Sequence, residues 1–249
     1  VQQLLVDLGF LPVGEDDGVY GPKTSQAVAA FQQTRWLEVD GSWGRASDGM
    51  GFPVGIHGVD YSWADPDPGM MATRGVNLAG RYLWDKQHPG SKGITLAEYD
   101  ALIVANITPF FIYEEDGKEL AGGFDAGVRV AKLAEAELAH LHLSGLPVYF
   151  NVDYDAPASA MPAILDALRG VASVIGLERT GLYAGLRPIT AAFDAGVIAY
   201  GFQTYAWSGG VWDARAQLQQ WANGQWSGSV DFTRSMVRDF GQYPIESGQ

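Results

Sequence analysis

The chain has 249 residues, enough for one large domain or for a large and a small one. Its 29 acidic and 16 basic residues leave a formal charge of −13 with no basic patch, which argues against nucleic acid or an anionic bilayer as partner. The absence of cysteine excludes disulfides, thiol catalysis and cysteine-ligated metal centres, and no run of 18 or more apolar residues calls for membrane insertion.

Residues 1–50 form a unit of their own. Val1, Leu4, Leu5 and Leu8 recur at helical spacing and Gly9 ends the pattern. Val1 falls inside that pattern, so sequence upstream of it is expected. Pro22 stands at the first position of a second helix, whose apolar stripe is Ala27, Val28 and Phe31. Asp17-Gly18-Val19-Tyr20-Gly21 and Asp40-Gly41-Ser42-Trp43-Gly44 repeat one DGxxG unit, and each predicts a tight turn with a buried aromatic between its glycines. A compact helical bundle with Tyr20, Phe31 and Trp43 in or beside its core is expected. The run DGVYGPKTSQAVAAFQ followed by DGSWG resembles the three-helix peptidoglycan-binding domain of cell-wall hydrolases. That resemblance implies a wall-anchoring module and bacterial peptidoglycan as partner.

A Gly-rich junction, Ser47 to Pro53, precedes the second unit, residues 54–249. Strand-like runs occur at 55–60, 77–83, 108–114, 146–153, 179–185, 197–207 and 229–232. Residues 216–222 read equally as strand or helix. Helical patterns fall between, notably at 95–105, 125–143 and 157–175. Strands alternating with helices predict the α/β class, and this many predict a (β/α)8 TIM-like barrel beside the small N-terminal helical bundle. A doubly wound open sheet is the competitor. No GxGxxG or GxxxxGK[ST] run supports a nucleotide site.

Asp60, Asp153, Asp155 and Asp231 stand at or near the ends of strand-like runs, where a barrel gathers its catalytic groups. Two acids in an apolar run are costly to bury without a purpose. Alternation along the strand points Asn151, Asp153 and Asp155 the same way, with the two acids roughly 6–7 Å apart. That suits a proton donor with a second, polarising carboxylate. Acids crowded into one mouth repel one another, and at least one pKa should rise. Glu114 ends the third run, and its neighbour Glu115 is expected in solvent. Tyr183, Tyr205 and Gln203 are candidates for hydrogen bonds to substrate or acids, or for barrel packing. Trp63 and Trp207 are candidate sugar platforms, as Trp84 is by its position after a strand. Arg81 points either to an internal ion pair, which is favoured, or to the outer helices. The histidines form no HExxH, so neither metal nor cofactor is expected.

The runs GVDYSW, AGRYL, LPVYFNVDYDA, GLYAG, FQTYAW and VDF resemble a glycoside-hydrolase-like domain of actinobacterial secreted proteins and phage lysins. More distantly they resemble the family 25 lysozymes, whose fourth strand carries a D-x-E pair. The resemblance covers residues 54–235. It implies a muramidase-like peptidoglycan hydrolase, acting outside the cell or at the wall, with a phage origin open and a monomer expected. It places Asp60, Asp153, Asp155 and Asp231 in the active site, with Asp155 in the position of the muramidase Glu donor. A non-catalytic saccharide-binding protein and a phage structural part are the rivals.

Overall fold

The computed structural model describes residues 1–7, 10–34, 37–44, 47, 57–83, 92–237 and 239–242. Leu8, Gly9, most of the Ser47–Pro53 junction with its domain boundary, the start of the first strand-like run and Trp84 lie outside them.

In the N-terminal unit α1 (Gln2–Asp7) and α2 (Pro22–Thr34) pack through Leu5, Leu11, Ala27, Val28 and Phe31. Phe31 meets Phe10 edge-on at 5.6 Å and Trp43 at 5.0 Å between ring centroids. The repeat is held by two glutamines in matching roles. Gln2 accepts from the Gly18 N–H at 2.8 Å and donates to Asp17 at 2.9 Å. Gln32 accepts from the Gly41 N–H at 2.9 Å and donates to Asp40 at 2.7 Å. Each Asp in turn accepts from the N–H two residues on, the geometry of an Asx turn. The buried-aromatic expectation needs correction at Tyr20. Its ring is half exposed, and its hydroxyl clamps the other turn, donating to the Gly41 carbonyl and accepting from the Trp43 N–H.

The larger unit is a closed barrel of eight strands in chain order: β1 (His57–Tyr61), β2 (Leu78–Tyr82), β3 (Thr108–Tyr113), β4 (Val148–Val152), β5 (Thr180–Ala184), β6 (Tyr200–Thr204), β7 (Leu218–Gly224) and β8 (Val230–Ser235). In the ambiguous segment at 216–222, residues 218–222 are therefore strand. Outside the barrel lie α3 (Pro68–Thr73), α4 (Leu96–Val104), α5 (Phe124–His140), α6 (Met161–Ile175) and α7 (Leu186–Asp194). The repeating strand–helix order stops at β6. Strand β7 follows without a helix, and β8 runs antiparallel to both β7 and β1. A strict (β/α)8 barrel is thus not what forms. The β7–β8 link is too short for a parallel crossover, so the chain turns back as a hairpin.

Two cores hold the barrel. Inside it, Phe110, Tyr149 and Phe202 make edge-to-face contacts at 5.4–5.9 Å, and Phe240 from the C-terminal segment joins them. Leu78, Ile112, Tyr183 and Leu218 complete this filling. Strand residues of the opposite parity, such as Val59, Ala79, Phe111, Val148, Phe150 and Leu182, pack against the helices. Residues 158–175 are apolar enough to cross a bilayer by composition. In the fold, Ile164, Leu168 and Val171 of this stretch are buried in that outer core. Helices α5 and α6 touch closely at Gly127, where an added Cβ would meet the Ala167 carbonyl and backbone. Gly127→Ala is expected to force these helices apart and cost about 1–3 kcal/mol. Thermal melting checks this, and an unchanged midpoint would refute it.

Candidate active site

Parallel strands β1–β7 bring their C-terminal ends to one rim. Strand β8 runs the other way, so its beginning reaches that rim, and Asp231, its second residue, pairs across the ladder with Asp60. Asp60 lies at the fourth position of β1 and is 2% exposed. Its Oδ1 accepts from Gln220 Nε2 at 2.9 Å and its Oδ2 from the Thr233 hydroxyl at 2.5 Å. Asp231 accepts from the Gly224 N–H at 2.7 Å and from the same Gln220 amide at 3.3 Å.

Asp153 stands one residue beyond β4, exposed at the rim. Its N–H donates to the Gly117 carbonyl at 3.0 Å. Gly117 has φ +78°, and a Cβ there would strike the Asp153 Cβ at 2.8 Å, so this close approach requires glycine. Glu119 fixes the loop by accepting three N–H groups, from Glu115, Asp116 and Gly117. Glu114 sits beside the acids, where it accepts from Asn151 Nδ2 at 2.5 Å and pairs with Lys92 at 2.8 Å. The Lys92 ammonium also lies 4.1 Å from the Tyr82 ring centre.

The charges in this mouth act on one another. Burial, with Asp231 and Asp153 adding repulsion, pushes the Asp60 carboxyl up to about 8, against the opposing hydrogen bonds of Thr233 and Gln220. Asp153 is also raised, first by desolvation and then by Glu114, while Lys92 opposes the shift. Asp231 is raised by desolvation and partly restored by the Gly224 N–H. Tyr82 and Tyr183 are held well above the ordinary phenol value, chiefly by burial.

Asp60, Asp153, Asp231, Glu114 and Tyr183 therefore share one mouth. Asp155 does not join them. The chain leaves β4 at Val152, so strand alternation does not carry to 155. The Asp155 side chain is 70% exposed and faces Arg187 at 3.8 Å. Gln203 departs from the expected role too. Phe202 is the inward residue of β6, and the Gln203 amide is occupied by Ser208, Val211 and Asp213 of the loop beyond. Arg81 points to the outer helices, against the favoured internal ion pair, because its place on β2 has the outward parity. Its guanidinium grips Glu98 of α4 at 2.5 and 3.1 Å, donates to the Tyr61 carbonyl and lies over the Tyr61 ring. Glu115 is not free in solvent but forms a two-point pair with Arg129.

Tyr205 and Trp207 follow β6 on the same rim and are each 44% exposed. Trp207 has φ +56°, an uncommon backbone for a bulky residue. Trp63, largely exposed after β1, borders a cleft of about 540 Å3 that also includes Arg81, Lys92 and Glu98. Lys92 belongs to this cleft and also pairs with Glu114 of the mouth. Sequence reading missed Lys92, Gln220, Thr233 and Tyr82. The adjacent glutamines in AQLQQWA were an available signal, since a polar side chain within a buried strand needs partners.

A family model described as "Rv2525c-like, glycoside hydrolase-like domain" matches residues 70–247, and one described as "Putative peptidoglycan binding domain" matches residues 1–46. The first match begins after β1, so Asp60 lies outside it. Among solved structures, the chain is similar to the Mycobacterium tuberculosis Tat-secreted protein Rv2525c in complex with L-tartrate, at 25% identity and TM-score 0.70, over 77% of this chain and all of that one. The same protein with HEPES aligns at 26% identity and TM-score 0.70, with the same coverage. An uncharacterized B. stearothermophilus protein shares the fold at 16% identity and TM-score 0.56, over 76% of this chain and all of that one. No curated protein matches the chain.

Proposed function

From the premise that the chain belongs to the Rv2525c-like, glycoside hydrolase-like family, we propose that it hydrolyses the glycan strand of bacterial peptidoglycan, with the N-terminal domain holding the wall. The observation that carries this reading is the mouth itself. Asp153 is reachable by solvent and has a raised pKa, beside the oriented carboxylate of Asp231 and the buried Asp60. A carboxyl that holds its proton more tightly than an ordinary Asp and lies within reach of substrate is suited to general acid catalysis.

In this reading Asp153, rather than Asp155, donates the proton to the glycosidic oxygen as the bond to the anomeric carbon breaks. Asp231 carries the negative charge that steadies the positive charge developing at that carbon or at the neighbouring N-acetyl group. Water then adds through its oxygen to the anomeric carbon, and the proton it releases goes to the Asp153 carboxylate, which restores the acid. Asp60 does not touch substrate but supports the mouth from beneath. Trp63, Tyr205 and Trp207 offer aromatic faces to sugar rings along the rim. The acids are supplied by the chain, so this scheme calls for no metal. The working place is outside the cell or in the wall, in keeping with the Tat-secreted relative.

A non-catalytic saccharide-binding barrel is the second reading. It is favoured by the exposed position of Asp155, where the muramidase pattern puts its donor. Purified peptidoglycan separates the two. Release of new reducing ends supports hydrolysis; saturable muropeptide binding without release supports the binding module. In the same experiment, removing residues 1–47 is expected to reduce retention on sacculi while the barrel keeps its near-ultraviolet dichroism. Equal retention would overturn the anchoring role.

A further inference from the structure

We infer that Gln220 is a positioning residue of the acid mouth: its side-chain amide joins Asp60, Asp231 and Tyr183 and sets the directions in which the two carboxylates present their oxygens. The inference rests on the hydrolase reading for its purpose, but its geometry stands apart from it. Gln220 is 2% exposed and lies where β7 bulges against β8, between Gln220 and Ala222. Bulges of this kind re-aim side chains near functional sites. Its two amide protons meet Asp60 Oδ1 at 2.9 Å and Asp231 Oδ2 at 3.3 Å. Its oxygen accepts from the Tyr183 hydroxyl at 2.8 Å.

The orientation of that amide follows from chemistry. Turned over, it would aim its oxygen at two carboxyl groups and take away the acceptor of the Tyr183 hydroxyl proton. Tyr183 stays a donor, because burial and the nearby acids disfavour its ionised form. The phenol thus locks the oxygen end, and the nitrogen end is left for the acids. Asp60 and Asp231 stand opposite each other on neighbouring strands, and two carboxylates so placed repel. One amide donating to both holds them in a single arrangement. The Gln220 carbonyl also accepts from the Tyr205 N–H at 2.9 Å, which ties the same residue to the exposed aromatic rim. Gln219 next to it has the opposite parity and is taken by Arg234, so the two glutamines are not equivalent.

The ionisable groups acting on Asp60 are Asp231 from β8, Asp153 beyond β4, Tyr82 from β2 and Tyr183 from β5. Gln220 favours the charged form of Asp60, so its loss should raise the Asp60 titration midpoint further. The test is Gln220→Leu in the full chain, with Asp carboxyl titrations followed by NMR on isotope-labelled protein and Asp60→Asn assigning the signal. The expected result is an upward move of the Asp60 midpoint by about one pH unit. In a cleavage assay, kcat should fall by about tenfold or more, with KM within about twofold. A purely structural glutamine would lower the melting temperature and leave the midpoint in place, and that result overturns the inference. If the Leu variant does not fold, Gln220→Met, which keeps the length of the side chain and removes both amide protons, should move the midpoint in the same direction; no movement again overturns it. A wild type that cleaves no glycan defeats the hydrolase reading, while the titration still decides the role of Gln220.

Discussion

Asp153→Asn is expected to lower glycan cleavage by roughly 10²–10⁴-fold. The amide keeps the shape of the side chain and its place against Gly117 but cannot deliver a proton. The loss should fall on kcat, because Asp153 in this role acts in the transition state more than in binding. Asp155→Asn is the matched control. Its side chain lies in solvent beside Arg187, and such exposed pairs contribute little, so turnover should stay within about twofold. Reducing-end release from purified peptidoglycan measures both. A collapse at Asp155 with an active Asp153 variant would reverse the assignment and return the donor to the place that the muramidase pattern implies.

Asp60→Asn is expected to change how stability depends on pH. The Asp60 carboxyl is raised from an ordinary value of 3.8 to about 8 in the folded protein. Between those values the native state holds a proton that the unfolded chain has lost, so unfolding free energy falls as pH rises, by about 1.4 kcal/mol per pH unit. Below the lower value both states are protonated, and above the upper both are ionised, so the loss is confined to the window between them. Asp153 and Asp231 are raised as well and add slope of the same sign. Asn at position 60 removes the largest part. Its oxygen accepts from Gln220, and its nitrogen donates to Thr233 once that hydroxyl rotates. Melting temperatures from pH 4 to 9 should fall less steeply for the variant, which should be the more stable protein near pH 8. An equally steep decline would show that Asp60 ionises normally. A buried acid that costs stability at working pH fits a residue retained for activity.

Much of this architecture was legible from local signals. Each strand run overlaps an observed strand, though the last run, 229–232, covers only the first half of β8, and the helical pattern at 125–143 is the long α5, Phe124–His140. The DGxxG repeat announced two related turns, although the glutamines that hold them come from α1 and α2. Gln2 and Gln32 reach them from 8 to 16 residues away in the chain, beyond any turn rule. The acids of the mouth were legible in part. Asp60 and Asp231 stood out as strand-end carboxylates, and Asp153 followed from its apolar flanks.

What sequence alone determined is therefore the order of elements as far as β6, the repeat in the small domain and the short set of acids from which a mouth could be built. Tertiary structure decided which acids meet. In a barrel strand both faces are buried, one against the interior and one against helices, so apolar patterning does not say which parity points inward. Leu78 and Tyr82 point in on β2 and Phe202 on β6, which sends Arg81 to Glu98 and Gln203 to its loop. The end of β4 at Val152 removes Asp155 from the row that alternation would have drawn. The reversal of β8 puts the start of that strand, and Asp231 with it, beside Asp60. Gln220 reaches Asp60 across 160 positions of sequence, and no local rule connects them. The large upward shift at Asp60 comes from the packed aromatic interior, the opposing strand and the closure of the barrel together, because desolvation is a property of the assembled fold.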